Sequence, residues 1–220
     1  MIEDAVVGGA ESAWEALDPP WRAALEEAWT SWSSGSVGIG AVVVDGRGAI
    51  VSRGRNRILD PVAEAGVLAG TFLAHAEMNA LAGAPLGATE GLTVYTSLEP
   101  CLMCAATMVM LKIGRVHYAA PDPLFDGLDE VLGTHAFCAG RLPDRQGPLP
   151  GPVGAFARLL PLTVMAFWEM HSDALESHRK LAPEAVARAE EMVADNRLAD
   201  AAGAGAGVVE AMGAVWDKLV

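Results

Sequence analysis

Apolar positions along this chain follow two periods that alternate. From Pro19 to Ser33 (PPWRAALEEAWTSWS) Trp21, Leu25 and Trp29 recur at spacing four and Trp32 follows three later. That spacing predicts a helix with prolines in its first turn and a core-facing stripe of tryptophan. IGAVVVD reads as a strand, Gly46-Arg47-Gly48 as a turn and AIVSRGRN as a second strand, together a β-hairpin. Residues Thr71 to Leu81 return to helical spacing, and LTVYTS (Leu92 to Ser97) is a strand that stops at Glu99-Pro100. A helix, CLMCAATMVMLK, and another strand, RVHYAA (Arg115 to Ala120), follow. Strands and helices alternating in this way predict a layered α/β domain.

Between Phe137 and Gly154 (FCAGRLPDRQGPLPGPVG) proline and glycine accumulate, which predicts a long loop or insertion over about 137–159, a candidate lid. LTVMAFW (Leu162 to Trp168) reads as a last strand, and Glu169 to Lys180, Pro183 to Leu198 and Val208 to Lys218 read as helices. The expected organisation is one domain over 1–180 and a helical extension over 181–220 packed on it.

At 220 residues one buried core is expected. Hydrophobic residues make up 52% of the chain and mean hydropathy is +0.29, but much of this is alanine. No apolar run reaches the roughly 18 uncharged residues of a spanning helix. The first residues, Met1-Ile2-Glu3-Asp4, are acidic where a secretory signal carries positive charge, so a cytoplasmic protein is expected. The net charge of −13 would repel a polyphosphate backbone and argues against a broad nucleic-acid footprint. Three cysteines, Cys101, Cys104 and Cys138, are too few and odd in number for a disulfide framework, which leaves metal binding or redox chemistry for the close pair.

The chemistry concentrates in His75-Ala76-Glu77 and Pro100-Cys101-Leu102-Met103-Cys104. One imidazole and two thiolates supply three ligands of a tetrahedral zinc and leave the fourth position open, as in a catalytic site. Cys101 and Cys104 share a helix face at a helix start, where the dipole favours thiolate. Glu77 lies two residues past His75, close to the metal without ligating it, placed to take a proton from water and pass it on. Taken alone, a CxxC before a helix also reads as a thioredoxin-like redox pair. H-x-E followed by P-C-x-x-C, in that order, is the signature of zinc nucleobase deaminases. Elsewhere His117 reads as a packed or surface strand residue; His135 and Cys138 border the loop; His171 and His178 lie seven apart on an expected helix without a third ligand.

HAEMNAL (His75 to Leu81), VYTSLEPCLMCAATM (Val94 to Met108), IGRVHYAAPDP (Ile113 to Pro123) and the hairpin from Val37 to Arg57 resemble the cytidine deaminase-like superfamily, in the branch of tRNA adenosine, guanine and cytosine deaminases. The resemblance runs from about Trp21 to Leu132 and implies a three-layer α/β/α fold around a central five-stranded mixed sheet, with extra C-terminal helices. It implies one Zn2+ per chain on His75, Cys101 and Cys104, Glu77 as the catalytic acid and base, and a homodimer. It also implies substrate contacts at Asn56 and Ala76, although Asn56 reads equally well as a turn residue capping the strand end. Glu99 reads first as an acid complementing the helix dipole.

The expected activity is hydrolytic deamination of a free base, nucleoside or related amino-heterocycle. From Leu181 to Val220 three basic residues (Arg188, Arg197, Lys218) face seven acidic ones, a balance that would repel RNA. The alternatives are a tRNA adenosine-to-inosine deaminase, whose HAE and LEPCxMC phrasing the chain shares, and a zinc-stabilised binding module without turnover.

Overall fold

The computed structural model describes residues 2–61, 65–85, 87–168 and 173–220. Its first half holds α1 (Ile2–Glu15), α2 (Pro19–Ser33), β1 (Gly40–Val44), β2 (Ile50–Arg55), α3 (Ala76–Ala82), β3 (Thr93–Leu98), α4 (Leu102–Leu111) and β4 (Arg115–Ala120). Its second half holds α5 (Leu128–Gly133), α6 (Ala136–Ala139), β5 (Asp144–Gln146), α7 (Gly151–Phe167), α8 (Asp173–Leu181), α9 (Pro183–Ala194), α10 (Arg197–Gly203) and α11 (Val208–Ala214). The hairpin turn between β1 and β2 closes on Asp45, whose Oδ1 accepts the N–H groups of Arg47 and Ala49, while Gly48 takes the positive φ of 86° that the turn requires.

The sheet is five-stranded and mixed, in the order β2-β1-β3-β4-β5. β1 is antiparallel to both β2 and β3, whereas β3, β4 and β5 run parallel. Every residue of β1 is buried, because helices cover both faces of the sheet. On one face Ala41, Val43, Val94 and Val116 pack against Ala76, Ala80 and Leu81 of α3 and Met108 of α4. On the other, Val42 and Val44 meet Ala23 and Ala24 of α2. Trp21, Leu25 and Trp29 of α2 join Ala119 and Phe156, Leu159 and Leu160 of α7 in a larger cluster. That cluster continues outward through Val186, Ala189 and Met192 of α9, Leu198 of α10 and Ala211 and Met212 of α11, so the C-terminal helices wrap α7 as a further layer. Trp29 Nε1 donates to the Ala206 carbonyl and Trp32 Nε1 to Thr163 Oγ1, both at 2.8 Å, which satisfies the polar tip of each ring.

Several expectations shift. Leu162 to Trp168 is no strand: Leu162–Phe167 is the last third of α7, and Trp168 is its C-cap. That helix is enclosed by the sheet and the C-terminal helices, with Leu159 through Val164 all buried, so no polar stripe betrays the helical period. The fifth strand is instead Asp144-Arg145-Gln146, an edge strand of three polar residues inside the stretch expected as an insertion over 137–159. That stretch also holds most of α6 and the first half of α7. The helix expected from Thr71 begins only at Ala76. The one expected over 183–198 breaks at Asn196, whose φ is +58°, before α10. α1 was not foreseen; its Gly9 lies against Trp216, where an added Cβ would sit 2.7 Å from the indole nitrogen. The helix expected from Glu169 is described from Asp173; residues 169–172, which include His171, lie outside the described residues. No described helix is long and apolar enough to cross a membrane.

Gly54 sets the seat of α3 on β2: a Cβ there would lie 2.3 Å from the Ala80 nitrogen and 2.4 Å from the Ala76 oxygen. Backbone cannot yield as a side-chain tip can, so Gly54→Ala is expected to cost about 3 kcal/mol. Urea unfolding would show this as a lowered midpoint; an unchanged midpoint would mean that α3 does not approach β2 so closely.

Candidate metal centre and active site

Two helix starts, one after β2 and one after β3, bring the sequence's chemistry together. His75 is the N-cap of α3 and Cys101 the N-cap of α4, both in extended backbone, and Cys104 is the third residue of α4. His75 Nδ1 lies 3.6 Å from Cys101 Sγ and 3.6 Å from Cys104 Sγ, and the two sulfurs are 3.6 Å apart. Tetrahedral zinc with Zn–S near 2.3 Å and Zn–N near 2.0–2.1 Å requires donor separations of roughly 3.5–3.8 Å, so this equilateral triangle is one face of such a tetrahedron. Among the described residues it is the one cluster of histidine, cysteine and carboxylate side chains whose ligand atoms all converge within 4.8 Å. A redox pair needs no imidazole equidistant from both sulfurs.

The triangle is electrostatically prepared. The Cys104 thiol donates to Cys101, and that bond, helped by His75, holds Cys101 down at about 4 despite burial. The same bond, burial and the charge on Glu77 push Cys104 up, so it carries the proton that a dication would displace. Burial pulls the His75 imidazole down, but the Cys101 thiolate and the Glu77 carboxylate outweigh it.

Glu77 is 3% exposed, in the first turn of α3. Thr96 Oγ1 of β3 donates to its Oε1 at 3.1 Å, and Cys104 Sγ lies 3.5 Å from Oε2. One carboxylate oxygen is thus fixed by the sheet while the other points at the donor triangle. Burial raises the Glu77 carboxyl above its ordinary value, against the pull of His75.

Asn56 sits at the end of β2 and is 2% exposed. Its Oδ1 accepts from Ser36 Oγ and from the Ile58 N–H, each at 3.1 Å. It therefore does close the turn; among the described residues nothing accepts from Nδ2, which keeps two N–H donors. The Arg57 N–H bonds the Ala74 carbonyl at 2.9 Å, which ties the segment after Asn56 to the one before His75. Ala76 turns its methyl into the core beside Val43 and Val94, so any contact with a substrate falls to its backbone amide, free at the first helical position.

Three further residues support the site. Asn79 Nδ2 donates to the carbonyls of Arg55 and Leu68, and its Oδ1 accepts the Leu68 N–H at 2.8 Å, pinning the loop that leads to His75. Glu99 is less a dipole partner than a clamp: its Oε2 accepts the Asp122 N–H at 3.0 Å and its Oε1 binds Arg145 of β5. Arg145 also reaches Asp129 at 3.1 Å. No local pattern in the sequence signals Arg145, since its partner is 46 positions away. The remaining candidates stay apart from the triangle. His117 packs on Tyr95 across the opposite face of the sheet, with ring centroids 4.6 Å apart. His135 Nδ1 and Cys138 Sγ lie 4.0 Å from each other, and His178 is buried against Asp122.

Residues 19–120 match the model of the cytidine and deoxycytidylate deaminase zinc-binding region. A tRNA-specific adenosine deaminase of Aquifex aeolicus is 32% identical over 118 residues, 50% of this chain and 70% of that one. The chain belongs to the cytidine deaminase-like superfamily. Its zinc-binding domain has its potential metal site at His75, Cys101 and Cys104. A tRNA(Ile)-lysidine synthase of Deinococcus radiodurans is 34% identical over 164 residues; the match takes in 70% of this chain but about a quarter, 26%, of the synthase. Among solved structures, a guanine deaminase from Nitrosomonas europaea aligns at 21% identity with a TM-score of 0.48, over 68% of this chain and 85% of that chain. The chain spans about a quarter of the synthase's length and 60–70% of the tRNA-specific adenosine deaminases it matches.

Loss of any one donor should empty the centre. Cys101→Ser is expected to lower zinc from about one per chain to below roughly 0.1 by elemental analysis, because two remaining ligands hold the ion too weakly. Full zinc in that variant would place the metal elsewhere.

Proposed function

We propose that this protein hydrolytically deaminates a free base, nucleoside or related small amino-heterocycle, with Glu77 as its proton carrier. The observation that carries the reading is a buried carboxylate fixed by Thr96 beside a triangle of three donors that leaves a fourth metal position open. Zinc held there supplies Lewis acidity that makes water nucleophilic near neutral pH, bringing its pKa to about 7. Glu77 Oε2 takes a proton from that water and delivers it to the ring nitrogen next to the carbon under attack. The water's second proton leaves through the same carboxylate to the amino group, so C–NH2 and H2O become C=O and NH3. The raised Glu77 carboxyl suits both directions of transfer, since a carrier works best when it gives up its proton as readily as it takes one. Asn56 Nδ2 and the Ala76 amide donate to acceptors on the ring and fix which edge faces Glu77.

The charge around the site favours a small substrate. Arg55 and Arg57, on the strand end and loop nearest Asn56, both pair with Asp60, at 2.7 and 3.6 Å. They offer no spare cation for a phosphate backbone. The identity to the Aquifex tRNA-specific adenosine deaminase favours a second reading, adenosine deamination within tRNA. The exposed apolar residues Leu102 and Met110 on α4 support self-association as a homodimer.

Glu77→Gln is expected to keep its zinc and lose at least roughly 10³-fold in turnover. Ammonia release from a panel of free bases, nucleosides and a tRNA anticodon stem-loop checks both points. Activity retained without Glu77 would overturn its role, and conversion of the stem-loop well above every small compound would establish the tRNA reading instead.

A further inference from the structure

This chain carries 28 acidic and 15 basic residues, and its cations are mostly spent on its own carboxylates. Arg53, Arg55, Arg57, Lys112, Arg145, Arg179, Lys180, Arg197 and Lys218 are all ion-paired. Arg22 donates to the Glu15 carbonyl and Arg141 stacks over the Phe137 ring. Among the described residues that leaves Arg47, Arg115, Arg158 and Arg188 without a carboxylate within 4 Å. Two of these four line one cavity. It measures about 370 Å³ and lies between α7 and α9, with Arg158 on one wall, Arg188 and Glu184 on the other, and Ala119, Pro121 and Leu149 beneath.

In a protein with an excess of acid, two guanidinium groups that line one hollow without a carboxylate within 4 Å concentrate positive potential there, which Asp122 and Glu184 offset only from a distance. Arg158 is partly buried, and its Nε is enclosed without a hydrogen-bond partner. A buried donor left in that state costs free energy unless a ligand orients the group, and so calls for an explanation. The carboxylates nearby do not supply it. Asp122 accepts the Leu124 N–H at 3.0 Å and lies 3.7 Å from His178 Nε2, and Glu184 is exposed and pairs with neither arginine.

We propose that the cavity between α7 and α9 is a binding site for a phosphate-class oxyanion, held by Arg158 and Arg188. Guanidinium forks match the oxygens of phosphate in pairs, and two of them neutralise a dianion. The ligand is small. Glu184, Glu190 and Glu191 on the same helix and the net charge of −13 would repel a polyanion, while one oxyanion fits between two cations. None of the residues lining this cavity is a metal donor. The arginines reach it from α7 and α9, and the metal donors lie at the starts of α3 and α4.

A second cavity of about 390 Å³ shares the Pro148–Leu149 wall. It is lined by Asp18, Trp21, Tyr95, His117 and Gln146, with the Trp21 and Tyr95 rings edge to face at 5.0 Å. Aromatic faces beside a carboxylate and an amide are groups that can hold a heterocyclic base. The oxyanion therefore has two sources of the same chemistry: the free ion, or the phosphate of a mononucleotide whose base enters the second cavity.

Calorimetric titration of the zinc-loaded full chain at low ionic strength distinguishes them, with inorganic phosphate, a nucleoside 5′-monophosphate and its parent nucleoside as probes. Saturable phosphate binding is expected, weakened at least tenfold in Arg188→Gln and in Arg158→Gln and unchanged in Arg115→Gln. Arg188 and Arg115 are exposed, so neither substitution threatens the fold. Monophosphate binding at least tenfold tighter than phosphate, with the same dependence on Arg188, would assign the nucleotide source; equal affinities would assign the free ion. No saturable phosphate binding, or equal weakening by Arg115→Gln and Arg188→Gln, would overturn the site.

Discussion

Everything in this molecule's active half depends on one geometric constraint: three donor atoms from two separate helix starts must meet at 3.6 Å. The sheet meets it by placing β3 next to β1 and letting each helix begin where a strand or its following loop ends. Cys101 follows β3 almost directly, with Glu99 clamped by Arg145 and the Asp122 amide so that the connection cannot drift. His75 comes after a longer loop, and here Asn79 and the bond between Arg57 and Ala74 do the holding. Gly54 lets α3 lie close enough on β2 for the two arms to converge. The triangle is therefore a consequence of backbone placement.

A buried carboxylate beside that triangle is costly, since Glu77 loses nearly all its hydration and gains in return a hydrogen bond from Thr96 and a longer one from the Cys104 thiol. A dication at the triangle would repay that cost by opposing the charge directly, as it would also displace the proton on Cys104. The metal thus has a structural consequence as well as a chemical one: the same ion that activates water makes the buried acid tolerable. Outside the site the economy of charge is reversed. Cations are scarce and are mostly paired with the protein's own acids, which gives the unpaired Arg158 and Arg188 their significance.

Much of the core was legible in the sequence because its signals are local. The tryptophan spacing of α2, the turn residues of the hairpin and the P-C-x-x-C segment are signals from near neighbours and form the elements expected, while H-x-E falls at the start of a shorter helix than expected. What failed to show was long-range or enclosed. α7 is buried along its middle from Leu159 to Val164, so that run carries no helical stripe, and the stretch from Leu162 to Trp168 reads as a strand. β5 is an edge strand of Asp, Arg and Gln, recognisable only from its pairing with β4. Arg145 and Asn79 matter through partners far along the chain, and Ala76, read as a substrate contact, spends its side chain on the core.

Zinc K-edge X-ray absorption of the purified full-length chain tests the account at its centre. The account predicts two sulfur ligands near 2.3 Å and two lighter atoms near 2.0–2.1 Å, one from His75 and one from solvent in the open position. A shell of three sulfurs would bring in Cys138 and close the site, and an absence of zinc would remove the basis for water activation altogether; either result would contradict the assignment of this centre as catalytic.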